Sequence, residues 1–159
     1  MRFIILLLIS LGTVNAKLSV PNIFGDNMVI QRDSPIHVWG EASPEKNVRV
    51  ILGNRDLTVK SDINGKWSLN LDALQGSNQS KSMSISSEGE TIEFDNIMIG
   101  DVWILGGQSN MEDALESIYH GDTEVISANF PSIRLITIPQ KAENEPQKDI
   151  ERINEFNAW

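Results

Sequence analysis

Between residues 28 and 94, apolar side chains return at every second position. Met28, Val29 and Ile30 make a short run, and Ile36, Val38 and Gly40 then alternate with His37 and Trp39. Val48, Val50 and Leu52 alternate with Arg49, Ile51 and Gly53, and Leu57 and Val59 with Thr58 and Lys60. Trp67, Leu69 and Leu71 alternate with Ser68 and Asn70, and the pattern returns at Met83 and Ile85 and again at Ile92 and Phe94. A period of two predicts strands with one buried face. Asn64-Gly65 predicts a type I′ hairpin turn, which needs φ > 0 at both central residues. The polar stretch 76–82 predicts a loop, and Glu88-Gly89-Glu90 joins the last two strands. Short strands at this spacing predict an antiparallel β-sandwich over residues 17–97.

After residue 97 the pattern changes. Val102, Trp103, Ile104 and Leu105 form an unbroken apolar run, which fits a strand covered on both faces. Gly106-Gly107 ends it. Ala114, Leu115, Ile118 and Tyr119 then recur at helical spacing, with Gly121 at the expected stop. Residues 133–138 predict a second buried strand, ended by Pro139. Strand, helix and strand with short joins make a βαβ unit with a right-handed crossover. Ile150, Ile153, Phe156 and Trp159 come next at near-helical spacing in a polar stretch.

The first sixteen residues read as an address rather than structure. Arg2 precedes an apolar run over residues 3–11, and Val14-Asn15-Ala16 ends in a small residue, the pattern of a secretory signal peptide. The run is short for a bilayer span, which needs about 20 apolar residues. Residues 1–16 are therefore expected to be a leader on a periplasmic or secreted protein that is not held in the membrane once the leader is cleaved.

Charge and composition narrow the chemistry. Thirteen Lys and Arg stand against 22 Asp and Glu, a net charge of −9. That balance argues against nucleic acid, whose phosphates call for clustered cations. With no cysteine, a disulfide scaffold, a thiolate metal site and a cysteine nucleophile are all excluded. His37 and His120 are the only histidines, so neither a multi-histidine metal site nor a cofactor is expected.

The chemically interesting position is Ser109, at a strand-to-helix turn. Such a turn presents a hydroxyl at the carboxyl end of a sheet, where α/β folds bind ligands. Free N–H groups at the helix start can hold an oxyanion. Ser109 or Asn110 can equally serve as an ordinary helix cap, with Glu112 and Asp113 in the first turn, and caps are far commoner than nucleophiles. Met111 stands two residues after Ser109, so the turn is not the G-x-S-x-G elbow of common α/β-hydrolases. A strand histidine such as His37 is ordinarily solvent-facing or hydrogen-bonded. Trp39 and Trp67 are expected in packing more than in sugar stacking.

The run Gly100-Asp101-Val102-Trp103-Ile104-Leu105-Gly106-Gly107-Gln108-Ser109-Asn110-Met111-Glu112 resembles the nucleophile block of the sialate O-acetylesterase family, which belongs to the SGNH or GDSL-like hydrolases. Residues 24–32 (Phe-Gly-Asp-Asn-Met-Val-Ile-Gln-Arg) resemble its opening block, and residues 62–67 (Asp-Ile-Asn-Gly-Lys-Trp) a further one. The resemblance implies a β-sandwich accessory domain (17–97) followed by the first βαβ part of an α/β/α SGNH-hydrolase domain (98–159, incomplete). It implies Ser109 as nucleophile, with its backbone N–H in the oxyanion hole, and makes Gln108 and Asn110 candidates for substrate contact. The implied substrate is an O-acetylated glycan or sialic acid.

A serine needs an adjacent base. In this family the base comes from an Asp-x-x-His block, and no such block comes after Ser109 within these 159 residues. His120 stands eleven residues after Ser109, roughly 16 Å along the axis if the segment between them is helical. Asp101 and Glu112 can orient a histidine but replace it poorly, and structural roles are expected for both. The expectation is an inactive N-terminal fragment of an esterase. The alternatives are a noncatalytic carbohydrate-binding β-sandwich module, with Trp39, Trp67 or Trp103 stacking on sugar, and one half of a split esterase whose partner chain supplies the Asp-x-x-His block.

Overall fold

A computed structural model describes residues 16–107, 113–139 and 144–150. The leader therefore lies outside the described residues, apart from Ala16. Seven strands come first: β1 (Val29–Gln31), β2 (Ile36–Glu41), β3 (Asn47–Leu52), β4 (Arg55–Lys60), β5 (Lys66–Leu71), β6 (Ser77–Ser87) and β7 (Glu90–Gly100). Five of them form one sheet in the order β1-β7-β6-β3-β4, and β2 and β5 pair as a second, two-stranded sheet. All neighbours are antiparallel except β1 and β7, which run parallel with Val29 opposite Met98 and Gln31 opposite Gly100.

The alternation seen in the sequence sorts side chains as expected. Val48, Val50 and Leu52 of β3 and Met83 and Ile85 of β6 are wholly buried. They share one apolar cluster with Ile97 and Ile99 of β7 and with Val38, Trp67 and Leu71 of the two-stranded sheet. Both sheets thus turn one face to the same core, the arrangement that lets each bury its apolar side without a helix.

Three local expectations are corrected. Asn64-Gly65 does not close a hairpin: β4 and β5 lie in different sheets, and only Gly65 has a positive φ, +82°. The Asp62 carboxylate instead accepts the backbone N–H groups of Asn64 and Lys66, both at 2.8 Å, and turns the chain from one sheet to the other. The turn with two positive φ values is Glu88-Gly89 between β6 and β7, at 50° and 85°. Residues 77–82 are strand rather than loop. This half of β6 extends beyond β3, which pairs only with residues 83–86, so its side chains face solvent and need not be apolar.

The βαβ unit is the larger correction. Among the described residues, 102–105 and 133–138 form no strand. Trp103, Ile104 and Leu105 are 81%, 96% and 71% exposed, and Leu135 is 75% exposed. A strand covered on both faces is apolar because sheet neighbours and helices bury it, and nothing among the described residues does so here. The described part of the expected helix is a single 3-10 turn, Leu115–Ser117. Gly121, expected as a stop, instead opens helix α1 (Gly121–Ser127), after His120 in the left-handed region at φ 61°. Gly121 is buried beneath that turn, where a Cβ would collide with the carbonyl oxygen of Leu115. Only glycine fits such an approach.

Ile85→Ala should lower the unfolding free energy by about 2 to 5 kcal/mol. Ile104→Ala should change it by less than about 0.5 kcal/mol. Urea unfolding followed by circular dichroism measures both, and equal losses would show that residues 102–105 are packed.

Candidate active-site segment

The main-chain path toward the candidate nucleophile is described as far as Gly107. β7 carries it to Gly100, where the strand ends. Asp101 is next, with its carboxylate 2.9 Å from Nε of Arg32. Both side chains are about half exposed, so the pair fixes geometry more than it adds stability. Asp101 thereby takes the structural role expected of it. Gln108, Ser109, Asn110 and Glu112 lie outside the described residues.

The two histidines occupy separate elements. His37 stands on the outer face of β2, where its Nδ1 lies 2.9 Å from Oδ1 of Asn70, directly opposite on β5. Its ring stacks on Trp39, with centroids 5.0 Å apart and planes 24° apart. This is the hydrogen-bonded, solvent-facing histidine that the strand pattern predicts. His120 precedes α1, and its ring lies 3.9 Å from that of Tyr119. Among the described residues no three His, Asp or Glu side chains are grouped as metal ligands would be.

A cleft of about 640 Å³ opens beside the two-stranded sheet, lined by His37, Trp39, Glu41, Lys66, Trp67 and Asp149 among others. Its mix of aromatic and charged groups suits a polar ligand in composition. The aromatic rings, however, are engaged by the protein itself. Trp39 has His37 stacked against it and Phe24 edge-on at 5.0 Å and 70°. Trp67 is only 4% exposed and belongs to the core. Trp67 therefore offers no open ring, and one face of Trp39 is taken by His37.

Sequence reasoning did not anticipate the Arg32–Asp101 pair or the cleft. Arg32 and Asp101 are 69 residues apart, and each has an ordinary local context. The one available signal was that both lie in blocks with a family resemblance.

No family model matches the chain. Over 138 residues it is 24% identical to the sialate O-acetylesterase of Mus musculus, covering 80% of this chain and 26% of that protein. Over 132 residues it is 25% identical to the Homo sapiens sialate O-acetylesterase, covering 76% and 25%. The fold superposes on the crystal structure of a carbohydrate acetylesterase from Xanthomonas citri with a TM-score of 0.79 and 31% identity, over 84% of this chain and 30% of that one. These similarities support a sialate O-acetylesterase-like family. It spans about a quarter of the length of these curated relatives. The resemblance of the family's opening and nucleophile blocks thus has a structural counterpart, since residues from both blocks meet at Arg32 and Asp101.

Removing the imidazole should uncover one face of Trp39. In a chain with Trp103 and Trp159 replaced by phenylalanine, His37→Ala is expected to shift the tryptophan emission to longer wavelength. An unchanged spectrum would show that the two rings are not stacked in solution.

Proposed function

We propose that this chain supplies the nucleophile of a carbohydrate O-acetylesterase acting on O-acetylated sialic acid or a related acetylated glycan. In this reading, Oγ of Ser109 attacks the acetyl carbonyl. A histidine takes the hydroxyl proton, and the Ser109 backbone N–H helps to hold the oxyanion. The tetrahedral intermediate expels the sugar hydroxyl, which takes that proton from the histidine. Water, deprotonated by the same histidine, then attacks the acetyl-serine and releases acetate as Oγ regains its proton, while Gln108 and Asn110 contact the substrate. The glycan comes from the relatives' names and from the nucleophile block, which stands in this chain as Gly-Gln-Ser-Asn-Met-Glu over residues 107–112.

The base, we propose, comes from an Asp-x-x-His block on polypeptide outside these 159 residues, either a continuation of the same protein or a partner chain. The observation that carries this is the exposed apolar surface of residues 102–138. Trp103, Ile104, Leu105, Ile126 and Leu135 are 71 to 96% exposed. Apolar surface on this scale marks an interface awaiting its other half. His37 is already engaged by Asn70 and Trp39 on the two-stranded sheet. Residues 17–97 act in this reading as an accessory β-sandwich and 98–159 as the opening of an α/β/α domain. Residues 1–16 direct export to the periplasm or beyond.

Hydrolysis of p-nitrophenyl acetate tests the proposal. The 159-residue chain and its Ser109→Ala variant should be equally inactive. Adding a polypeptide that carries the Asp-x-x-His block should produce turnover that Ser109→Ala abolishes. Ser109-dependent turnover by the chain alone would show that the base lies within it.

A further inference from the structure

Residues 22–32 contain the opening block that resembles the esterase family. They touch every later segment that the structure describes on either side of the nucleophile block. The backbone N–H of Asn22 donates to the Asp149 carboxylate at 2.9 and 3.0 Å, and its Nδ2 donates to the Ile150 carbonyl at 2.9 Å. The Asn27 carbonyl accepts from Nη1 of Arg134 at 2.8 Å. Nη1 also donates to the Asn96 carbonyl, and Nη2 to Oδ1 of Asn96 at 3.0 Å. Asn96 in turn donates from Nδ2 to Oδ1 of Asn27 at 2.8 Å. Arg32 holds Asp101 through Nε at 2.9 Å.

The contact nearest the nucleophile block is made by Gln31. The parallel ladder of β1 and β7 begins with the Met98 N–H donating to the Met28 carbonyl at 3.0 Å. It ends with the Arg32 N–H donating to the Gly100 carbonyl at 2.9 Å. In a two-residue period, the next β7-side amide after Gly100 is that of Val102. It donates at 2.9 Å to Oε1 of Gln31, a side chain standing in for the missing backbone acceptor. Gln31 and Arg32 therefore grip two consecutive residues, 102 and 101, where the chain leaves the sheet. Arg134 does the same for the expected return strand, with a planar fork that fixes direction as well as distance.

We infer that Gln31, Arg32 and Asn27 are positioning residues: they clamp the two segments flanking the helical region, through Val102, Asp101 and Arg134, and so aim the chain that carries Ser109. This rests on the proposed esterase reading for its purpose, while the clamp itself is a statement about geometry. On this account the β-strand unit is the jig on which the catalytic segment is set, rather than a detachable sugar-binding module. Asn27 and Asn96 both stand in the left-handed region, at φ 65° and 57°, a conformation that asparagine adopts more readily than most residues.

Amide hydrogen exchange on the full 159-residue chain tests this without requiring turnover, so its failure is separable from failure of the esterase reading. Gln31→Met keeps the length of the side chain and removes the acceptor. It should speed exchange at Val102 about three- to tenfold while leaving the core amides of β3 and β6 unchanged. Gln31→Glu keeps an acceptor oxygen for the Val102 N–H but loses the 3.2 Å donation from Nε2 to the Arg32 carbonyl, so it should recover part of the protection that Gln31→Met removes. Arg134→Met should speed exchange at residues 133–135 in the same way. The clamp would be overturned by a Val102 rate indifferent to Gln31→Met, by no rescue with glutamate, or by loss of protection throughout β3 and β6, which would make these residues part of the general fold.

Discussion

The short parallel pairing of β1 with the end of β7 governs the course of the chain beyond residue 100. Three residues of register, Val29 to Gln31 against Met98 to Gly100, cover an edge that would otherwise be open at the point where β7 stops. Met28, Ile97 and Ile99 lie buried beside it, so the pairing is anchored in the shared core. Because register sets which side chain stands opposite which, a one-residue slip would turn Gln31 and Arg32 away from residues 101 and 102. The direction in which the chain leaves the sheet is therefore a consequence of this pairing and of the polar contacts at its end.

The two halves of the chain solve the burial problem differently. In the strand-rich half, two sheets face each other over one apolar cluster, and each alternating strand has somewhere to put its apolar side. Among the described residues of 102–138, most large apolar side chains stand exposed. Secondary structure in a parallel α/β layer is sustained by neighbours on both edges and both faces, so one apolar segment cannot adopt it in isolation. The same dependence bears on chemistry. A serine becomes a nucleophile only when its base and oxyanion donors are held at hydrogen-bond distance, which requires the surrounding sheet to exist.

The cleft beside the two-stranded sheet shows how composition misleads about function. Aromatic and charged residues gather there as they would in a sugar site, and Trp39 is the more exposed of its two tryptophans. Its ring nevertheless has His37 stacked on it and Phe24 in edge contact, so part of its aromatic area is taken up by internal packing. A platform differs from a brace in having a free ring face, and that is a matter of neighbours remote in the chain.

Alternation alone made the strands legible, because a strand at a half-buried surface writes its period directly into the residue order: Val48, Val50 and Leu52 were sufficient to place β3 and its inward face. The resemblance in residues 100–112 likewise singled out the serine block from residue order alone. Which strands pair, that Asn64-Gly65 crosses between sheets, and that Gly121 begins a helix were not legible, because each depends on what packs nearby rather than on local preference. The joining of Arg32 to Asp101 and of Asn27 to Arg134 was decided only in three dimensions. Hydrogen bonds between residues 69 and 107 positions apart leave no periodic trace in the chain, and only the folded sheet brings their ends within reach.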